Sequence, residues 1–587
     1  MEDKKEILSM QRHSMSHVLA KAICSIYEGV KLTIGPAVDN GFYYDFDIPV
    51  NITQDKFAEI EAKMDEIIKS NQDFKRVVVS KEKALEMFKD NEYKTELINE
   101  LPDSEEISVY YLGDDFYDLC RGPHVENTKF LRSFAYKINK VNGAYWRGSE
   151  KNKMLQRVYC YGFENKQDLK SYVQAVEDAI RRDHNKIGRE LEYFTTVPYI
   201  GQGLPILLPK GARVVQLLQR FVEDEEQKRG YLLTKTPFMA KSDLYKISGH
   251  WQHYREGMFI LGDPEKDKEV FALRPMTCPF QFQVYLNKPR SYKDLPMRLN
   301  ETSTLFRNED SGEMHGLIRV RQFTISEGHL ACRPDQLEEE FKGCLDLATY
   351  MLKSIGLDGD VSYRFSKWDE NNKEKYIGSA EEWENVQNVM RNILNDLNLE
   401  YTEEEGEAAF YGPKLDIQIK NVYGKEDTLI TIQVDFQLAQ RFGMEYTDSD
   451  GAKKFPYVIH RTSLGCYERT LALLLEKYAG AMPTWIAPEQ VRIMTITEKN
   501  DEFALKVKSI LQQNGVRVEA DLRNESIGRK IKDAVNNKIP YMLVIGDNEQ
   551  ENNSVAIRKR GKGDIGSKSV DEFVSLILSD INNKVLD

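Results

Sequence analysis

Four groups of residues have the types and spacings that chemistry needs. The first lies in residues 9–27, where Met15, Val18, Leu19, Ala22, Ile23 and Ile26 recur at helical intervals and mark a buried stripe. Ser9 is the expected N-cap of that helix. His13 and His17 are four apart, so they share a face, opposite the stripe and beside Ala20 and Cys24. They are either solvated or line a cleft completed by another segment, and on this reading their loss costs little packing. The run from Asp118 through Cys120 to His124 could complete it. Three imidazoles and a thiol suit Zn²⁺ by residue type, and they equally suit activation of a water for ester hydrolysis.

The second group is in residues 305–332. Ile318, Val320, Gln322 and Thr324 alternate with Leu317, Arg319, Arg321, Phe323 and Ile325, the pattern of a strand. The LFRNE segment before it reads as another strand, and Ser311-Gly312 is the turn signal between them. That arrangement brings Arg307, Glu309, Arg319 and Arg321 to one surface, where guanidiniums suit bidentate grip on phosphate. A solvated charged hairpin accounts for the same residues. The third group is Cys278, set among prolines, with His329 and His460; by spacing these three are not a zinc motif, and a lone cysteine is more often a small buried hydrophobe. The fourth is Arg469, just after Gly465 and at the start of a helix whose Leu471, Leu474 and Leu475 form the buried face.

The elements that position these groups are legible in outline. A chain of 587 residues suggests about four domains. Charged residues make up 30% and hydrophobic ones 41%, an ordinary soluble profile. No apolar run approaches the roughly 18 residues of a membrane span, and no secretory signal opens the sequence. Seven scattered cysteines argue for a reducing compartment, and a net charge of −13 argues against nucleic-acid binding by the whole surface. Residues 134–141 and 154–163 read as strands of an α+β region. Residues 166–194 read as a solvated linking helix. Val214, Leu217, Leu218, Phe221 and Val222 give an amphipathic helix ended by Gly230, followed by a strand, YLLTKTPF, whose Pro237 belongs on an edge. Residues 409–419 and 427–438 read as strands around a turn at Tyr423-Gly424, and FPYVIHR as a strand ending at His460. From residue 488 onward, VRIMTIT, VRVEADL and PYMLVIG alternate with two helices, a small α/β sheet.

FRNE, a loop and then Arg319 to Phe323 resemble motif 2 of the class II aminoacyl-tRNA synthetases, and the flanking residues are similar to the threonyl-tRNA synthetase family within them. Residues 210–238 resemble motif 1, the family's dimer interface, and residues 460–480 resemble motif 3. Cys120 with its neighbours, together with IGPAVDNGFYYDFD, resembles the family's bacterial editing domain. By this resemblance the chain is expected to start where the small ubiquitin-like domain that usually precedes editing would end. The resemblance covers essentially the whole chain. It implies an α+β editing domain at 1–165, a linker helix at 166–190, an antiparallel-sheet catalytic core at 191–487 and an α/β anticodon-binding domain at 488–587.

What the family does sets the remaining expectations. The chain would activate L-threonine with ATP and Mg²⁺, transfer it to tRNA(Thr) and hydrolyse Ser-tRNA(Thr), as a cytoplasmic homodimer. Arg307, Glu309, Arg319 and Arg469 would serve adenylate formation. Tyr411, Gln433 and Glu327 would meet the amino acid and Lys414, Thr428 and Thr431 would lie near ATP, with Met276 and Cys466 also among the substrate-binding residues. Cys278, His329 and His460 would hold one Zn²⁺, whose open position takes the amino group and hydroxyl of threonine. Valine lacks the hydroxyl, whereas serine loses only a methyl, worth roughly 1–3 kcal/mol; hence an editing site is needed. His13, His17, Tyr44, Asp118, Cys120 and His124 would form it without an obligatory metal. Asn524, Arg529, Arg558 and Arg560 would touch RNA. Three stretches depart from the family's usual pattern: Ile325-Ser326-Glu327, Cys466, and Cys278-Pro279-Phe280-Gln281. Other class IIa synthetases are opposed by the Cys/His set, an inactive RNA-binding paralogue by the intact arginines, and a free-standing deacylase by the length of the chain.

Overall fold

Residues 14–23 are buried on every side, and the helix that carries them, α1 (Glu2–Ile26), runs through the core of the first unit. The helix is longer than its stripe suggests: Ser9 lies inside it and is not the N-cap. The polar residues Glu2 to Lys5 simply continue the helix before its buried part. In this computed structural model, which describes residues 2–102 and 104–586, the chain divides into two compact units, Met1–Asp178 and Ala179–Asp587. Among the described residues no helix is long and apolar enough to cross a membrane.

In the first unit α1 packs on a sheet whose long strands are β1 (Gly41–Asp47), β5 (Ala135–Tyr145) and β6 (Met154–Phe163), in the order β1–β6–β5. Both strands expected at 134–141 and 154–163 are present. Helix α2 (Phe57–Lys69) lies beside α1, and a second sheet joins β2 (Phe74–Val79), β3 (Ile107–Leu112) and β4 (Tyr117–Leu119). Helix α3 (Glu92–Glu100) opens with Asn91 as N-cap, its side chain accepting the Lys94 N–H at 3.1 Å. The stretch expected to be one linking helix is two, α4 (Lys166–Arg182) and α5 (His184–Glu190). The break is at Asp183, whose extended backbone and side-chain bond to the Asn185 N–H (2.7 Å) start the second helix.

The second unit is built on an eight-stranded sheet. It begins with β7 (Leu232–Leu233), β9 (Met297–Phe306), β10 (Gln322–Cys332), β15 (Tyr457–Cys466), β14 (Glu426–Asp435), β13 (Lys414–Lys420) and β11 (Val361–Lys367), and ends at β12 (Thr402–Glu405), while β8 (Phe271–Leu273) belongs to a separate small sheet. Helices α6 (Pro209–Lys228), α7 (Cys278–Leu286), α8 (Leu337–Ile355) and α9 (Tyr467–Lys477) accompany it, and its main core holds Val214, Phe341, Ile417, Ile432 and Leu474, all fully buried. The amphipathic α6 ends as expected, with Gly230 at φ +80°.

Several strand limits differ from the sequence reading. The strand expected over 231–238 is only Leu232–Leu233; the Thr234 N–H still donates to the Asn300 carbonyl at 2.9 Å, and Pro237, with no N–H, cannot carry the ladder further. Strand β13 starts at Lys414, after Pro413. Residues 317–321 are not a strand: Leu317, Ile318 and Val320 are all buried while Arg319 is exposed, and the Arg321 N–H donates to the Gly203 carbonyl at 2.7 Å instead of to a ladder partner. Strand β15 runs through His460 to Cys466 and passes directly into α9. The expected glycine turn is therefore one residue within the strand: Gly465 has φ +79°, and a Cβ there would lie 2.0 Å from the Leu429 carbonyl oxygen.

The last hundred residues form the small sheet expected of them, β17–β16–β18–β19–β20, from β16 (Val491–Thr495), β17 (Val518–Asp521), β18 (Tyr541–Ile545), β19 (Ser554–Lys559) and β20 (Gly563–Ser569). Helices α10 (Asp501–Gln513) and α11 (Ile527–Asn536) accompany it.

Candidate active sites

Sheet register sets the larger site. Leu299, His329, His460, Gln433 and Lys414 pair in succession across β9, β10, β15, β14 and β13, so they stand in one row. Two residues along β10, Glu327 pairs with Glu301 and Thr462; beyond a bulge, Ile325 pairs with Cys466. Steps of two keep side chains on one face. That face floors a cleft of about 370 Å³ lined by Met276, Cys278, Arg307, Glu309, Arg319, Glu327, Tyr411, Lys414, Thr428, Thr431, Gln433, His460, Cys466 and Arg469.

The cleft has a cationic end. Arg319 donates to Glu309 at 2.9 Å and also pairs with Glu313 at 2.6 Å. Arg307 stacks over Phe323, 5.1 Å from the ring centre. Arg469, in the first turn of α9, donates to the Ile318 carbonyl at 2.9 Å and to the Thr428 carbonyl. Arg321 is the exception to the expected cluster: its guanidinium donates to the Glu309 carbonyl at 3.0 Å and is not part of the lining, because the chain there is not a strand and does not present alternate residues to one face. Lys414 pairs with the buried Asp416 at 2.9 Å, which also accepts from Thr431 at 2.9 Å.

At the other end Cys278, the first residue of α7, meets His329 and His460, and their donor atoms lie within 4.8 Å of one another, all buried. The arrangement of partners selects one ring nitrogen on each imidazole. Nδ1 of His329 is 2.5 Å from Oε1 of Gln281, while its Nε2 is buried with no hydrogen-bond partner. Nε2 of His460 is 2.9 Å from Asp435. Each ring is thus held by an outer acceptor, leaving the other nitrogen to ligate, as in many metal sites. Burial pushes the His329 imidazole well below its ordinary pKa and the Cys278 thiol well above. A neutral histidine with an unsatisfied buried nitrogen fits a metal ion, as does a thiol that needs a cation to ionise. Glu327, 3.8 Å from His329 Nε2, is raised by its own burial. Tyr411 donates to Gln433 at 2.5 Å beside them.

Three residues around this cleft have roles that the sequence does not show: Asp435, which holds His460, Gln281 and His250. Gln281, one turn into α7, stands in a stretch noted only as a departure from the family's pattern, with nothing in the sequence to show that it meets His329. His250 lines the wall, 2.8 Å from the Ser248 hydroxyl, and burial followed by nearby cationic groups lowers it to about 3, so it is neutral.

The second site lies in the first unit and gathers every residue expected there. His13, His17, Cys120 and His124 bring their donor atoms within 4.8 Å of one another. Cys120 Sγ is 3.4 Å from His13 Nε2 and 3.3 Å from His124 Nε2. Asp118, fully buried, accepts from Tyr44 and lies 3.7 Å from His17 Nδ1. Burial depresses all three imidazoles, that of His17 with help from His13 and Lys94, and it raises the Cys120 thiol to about 11. Neutral imidazoles around a neutral thiol are not an ion-paired nucleophile, and each ring keeps a lone pair with which it can bond a water. His17 is 3% exposed, so the expectation that the pair could be removed at little packing cost holds less well for it than for the half-buried His13. Its ring packs edge-on against Tyr44 and His124, because α1 is enclosed on the side opposite its apolar stripe too. The residue missed here is Lys94 on α3, 2% exposed and 2.6 Å from Asp118.

In the last hundred residues Asn524 and Arg529 are exposed, and Arg558 is 3.6 Å from Asp564. Arg560 differs from the expectation of an RNA contact: its guanidinium donates to the Lys538 and Met482 carbonyls at 2.7 and 2.8 Å, where the chain enters this sheet.

Residues 259–478 match the family described as tRNA synthetase class II core domain (G, H, P, S and T), 490–580 the Anticodon binding domain, and 107–159 the Threonyl and Alanyl tRNA synthetase second additional domain. The Threonine–tRNA ligase of Clostridium perfringens (strain SM101 / Type A) is 58% identical over 582 residues, covering 99% of this chain and 90% of that protein. That of Geobacillus sp. (strain WCH70) is 44% identical over 583 residues, with coverage of 99% and 90%. Among solved structures, the RNA binding domain of threonyl-tRNA synthetase from Cryptosporidium parvum Iowa II superposes with a TM-score of 0.64 at 32% identity, over 68% of this chain and 98% of that one.

Proposed function

From membership in the threonine–tRNA ligase family, to which this chain belongs, we propose how its residues divide the family's work. The chain activates L-threonine with ATP and Mg²⁺, transfers the threonyl group to tRNA(Thr) and hydrolyses mischarged Ser-tRNA(Thr). Residues 191–487 carry the synthetic site, 1–165 the editing site and 488–587 the anticodon-reading surface, with 166–190 as connector. Asn524, Arg529 and Arg558 are the RNA contacts of that last surface.

In the synthetic site the threonine carboxylate attacks the α-phosphate and pyrophosphate leaves, so no enzyme nucleophile is required. Arg307, Arg319 and Arg469 stabilise the charge that develops on the phosphates, with Glu309 fixing the Arg319 guanidinium. Lys414, Thr428, Thr431 and Cys466 border ATP. Met276, Tyr411, Gln433 and Glu327 border the amino acid, where Glu327 receives the ammonium. Cys278, His329 and His460 hold Zn²⁺, with Gln281 and Asp435 orienting the two rings. When bound, the ion supplies an open Lewis-acidic position suited to an amino group and a hydroxyl together. The observation that carries this reading is the orphaned, buried Nε2 of His329 facing Cys278 and His460 on the floor of a cleft walled by arginines.

In the editing site the neutral imidazoles of His13, His17 and His124 accept a proton from the attacking water, and Cys120 sits between them. Asp118, held by Tyr44 and Lys94, orients His17. The protein works in the cytoplasm as a homodimer; the exposed Leu232, Leu233, Phe238 and Met239 beyond α6 support an apolar interface at that edge.

Metal analysis tests the synthetic-site reading. The purified protein should carry about one Zn²⁺ per chain, and Cys278→Ser should lower metal content and threonine activation together. Full threonine activation in a metal-free preparation would contradict it.

A further inference from the structure

We propose that His184, the first residue of α5, is a positioning residue for the ATP end of the cleft. The proposal rests on reading that end as the ATP site. His184 is fully buried, and both ring nitrogens are committed. Nδ1 lies 2.7 Å from Oε1 of Glu476, near the end of α9, and the Leu317 N–H donates to Nε2 at 3.2 Å. An acceptor at Nε2 has no proton there, so Nδ1 carries it and donates to the carboxylate. The other Glu476 oxygen accepts the Val422 N–H at 3.2 Å.

The contact matters because Leu317 adjoins the backbone that holds Arg469. The carbonyl of Ile318 accepts from Arg469 at 2.9 Å, and Arg469 in turn donates to the Thr428 carbonyl. Ile318, Arg319 and Val320 all line the cleft. His184 therefore ties the far end of α9 to the backbone strip that seats the guanidinium at its near end. The strip is pressed against the ring: Gly316 has φ +51°, and a Cβ there would lie 2.1 Å from His184 Nε2. The neighbours of His184 are seated independently. Tyr423 donates to Asp183 at 2.7 Å, and Arg182 donates to the Glu476 carbonyl at 2.9 Å. Because residues 317–321 are not part of a strand ladder, the imidazole supplies a backbone partner that the sheet does not.

Steady-state ATP–pyrophosphate exchange, with ATP and threonine varied separately, tests this on the full-length protein. His184→Leu keeps bulk and removes both bonds. It should raise KM for ATP about ten-fold or more while KM for threonine stays within about two-fold, since the Leu317 N–H left without a partner loosens the strip that seats Arg469. His184→Gln, which can still accept from the Leu317 N–H, should restore most of the ATP KM. Should His184→Leu fail to fold, His184→Asn carries the test, since its shorter amide keeps the bond to Glu476 but not the one to Leu317; it must raise the ATP KM where His184→Gln does not. An unchanged ATP KM, or equal rises for both substrates without rescue by glutamine, overturns the proposal. Arg469→Ala is run beside these variants. If it also leaves exchange intact, the ATP-site reading itself fails; if it abolishes exchange while His184→Leu has no effect on ATP, only the positioning role falls.

Discussion

Arg469→Ala should lower threonine-dependent ATP–pyrophosphate exchange by about 10²–10³-fold, the usual cost of deleting one preorganised charge-stabilising donor. The loss has two parts. The guanidinium lines the cleft, and it also bridges the Ile318 and Thr428 carbonyls, which come from segments far apart in the sequence. Arg469→Lys should therefore recover little, because an ammonium cannot make both carbonyl bonds and still present a planar fork to phosphate. Arg307→Ala should be comparably impaired, since its side chain is braced against Phe323 on the cleft wall. Both variants should hydrolyse Ser-tRNA(Thr) at the normal rate, because that site is built from residues of the first unit alone. Near-normal exchange in either would remove the arginine from the phosphate site.

The second large effect is on fidelity. His13→Ala combined with His17→Ala should slow hydrolysis of Ser-tRNA(Thr) by about 10²–10⁴-fold, the range of a lost acid–base group. The rate of Thr-tRNA(Thr) synthesis should not change. Because His17 is buried, His17→Asn is the better single control, filling part of the space and retaining a donor toward Asp118. Cys120→Ala should behave like the imidazole variants if the thiol takes part. Clearance of mischarged tRNA at the wild-type rate by the double variant would show that these residues are not the hydrolytic centre.

Much of the chemistry is legible in the sequence, for a specific reason. Reactive residue types stand out: histidines four apart, Cys278 among prolines, arginines at fixed offsets. Their pairing across distant segments rests on register, which the sequence does not display. His329 and His460 are direct neighbours on adjacent strands although 131 positions separate them. The alternation read over residues 317–325 holds for 322–325, which open β10, and misleads over 317–321, where the backbone bonds to His184, Arg469 and His315. Lys94 is illegible because a lysine in the run EYKTELINE reads as solvated; Asp118 at 2.6 Å and the Tyr44 hydroxyl at 3.4 Å, both from distant segments, make its burial tolerable. Gln281 and His250 are hidden likewise. Each has an ordinary role in its own helix and acquires another through a partner far along the chain. The single linking helix fails at Asp183, a residue whose capping preference competes with helix continuation.

Selection of threonine through its hydroxyl, with serine left for removal at a second site, is what unites the two halves of the chain. Pyrophosphate exchange by the zinc-loaded protein with threonine, serine and valine tests that selection without the second site taking part. Serine should be activated about 10–200-fold less efficiently than threonine, the worth of one methyl group, and valine should fall well below serine. Activation of valine as efficient as that of serine would contradict selection through the hydroxyl.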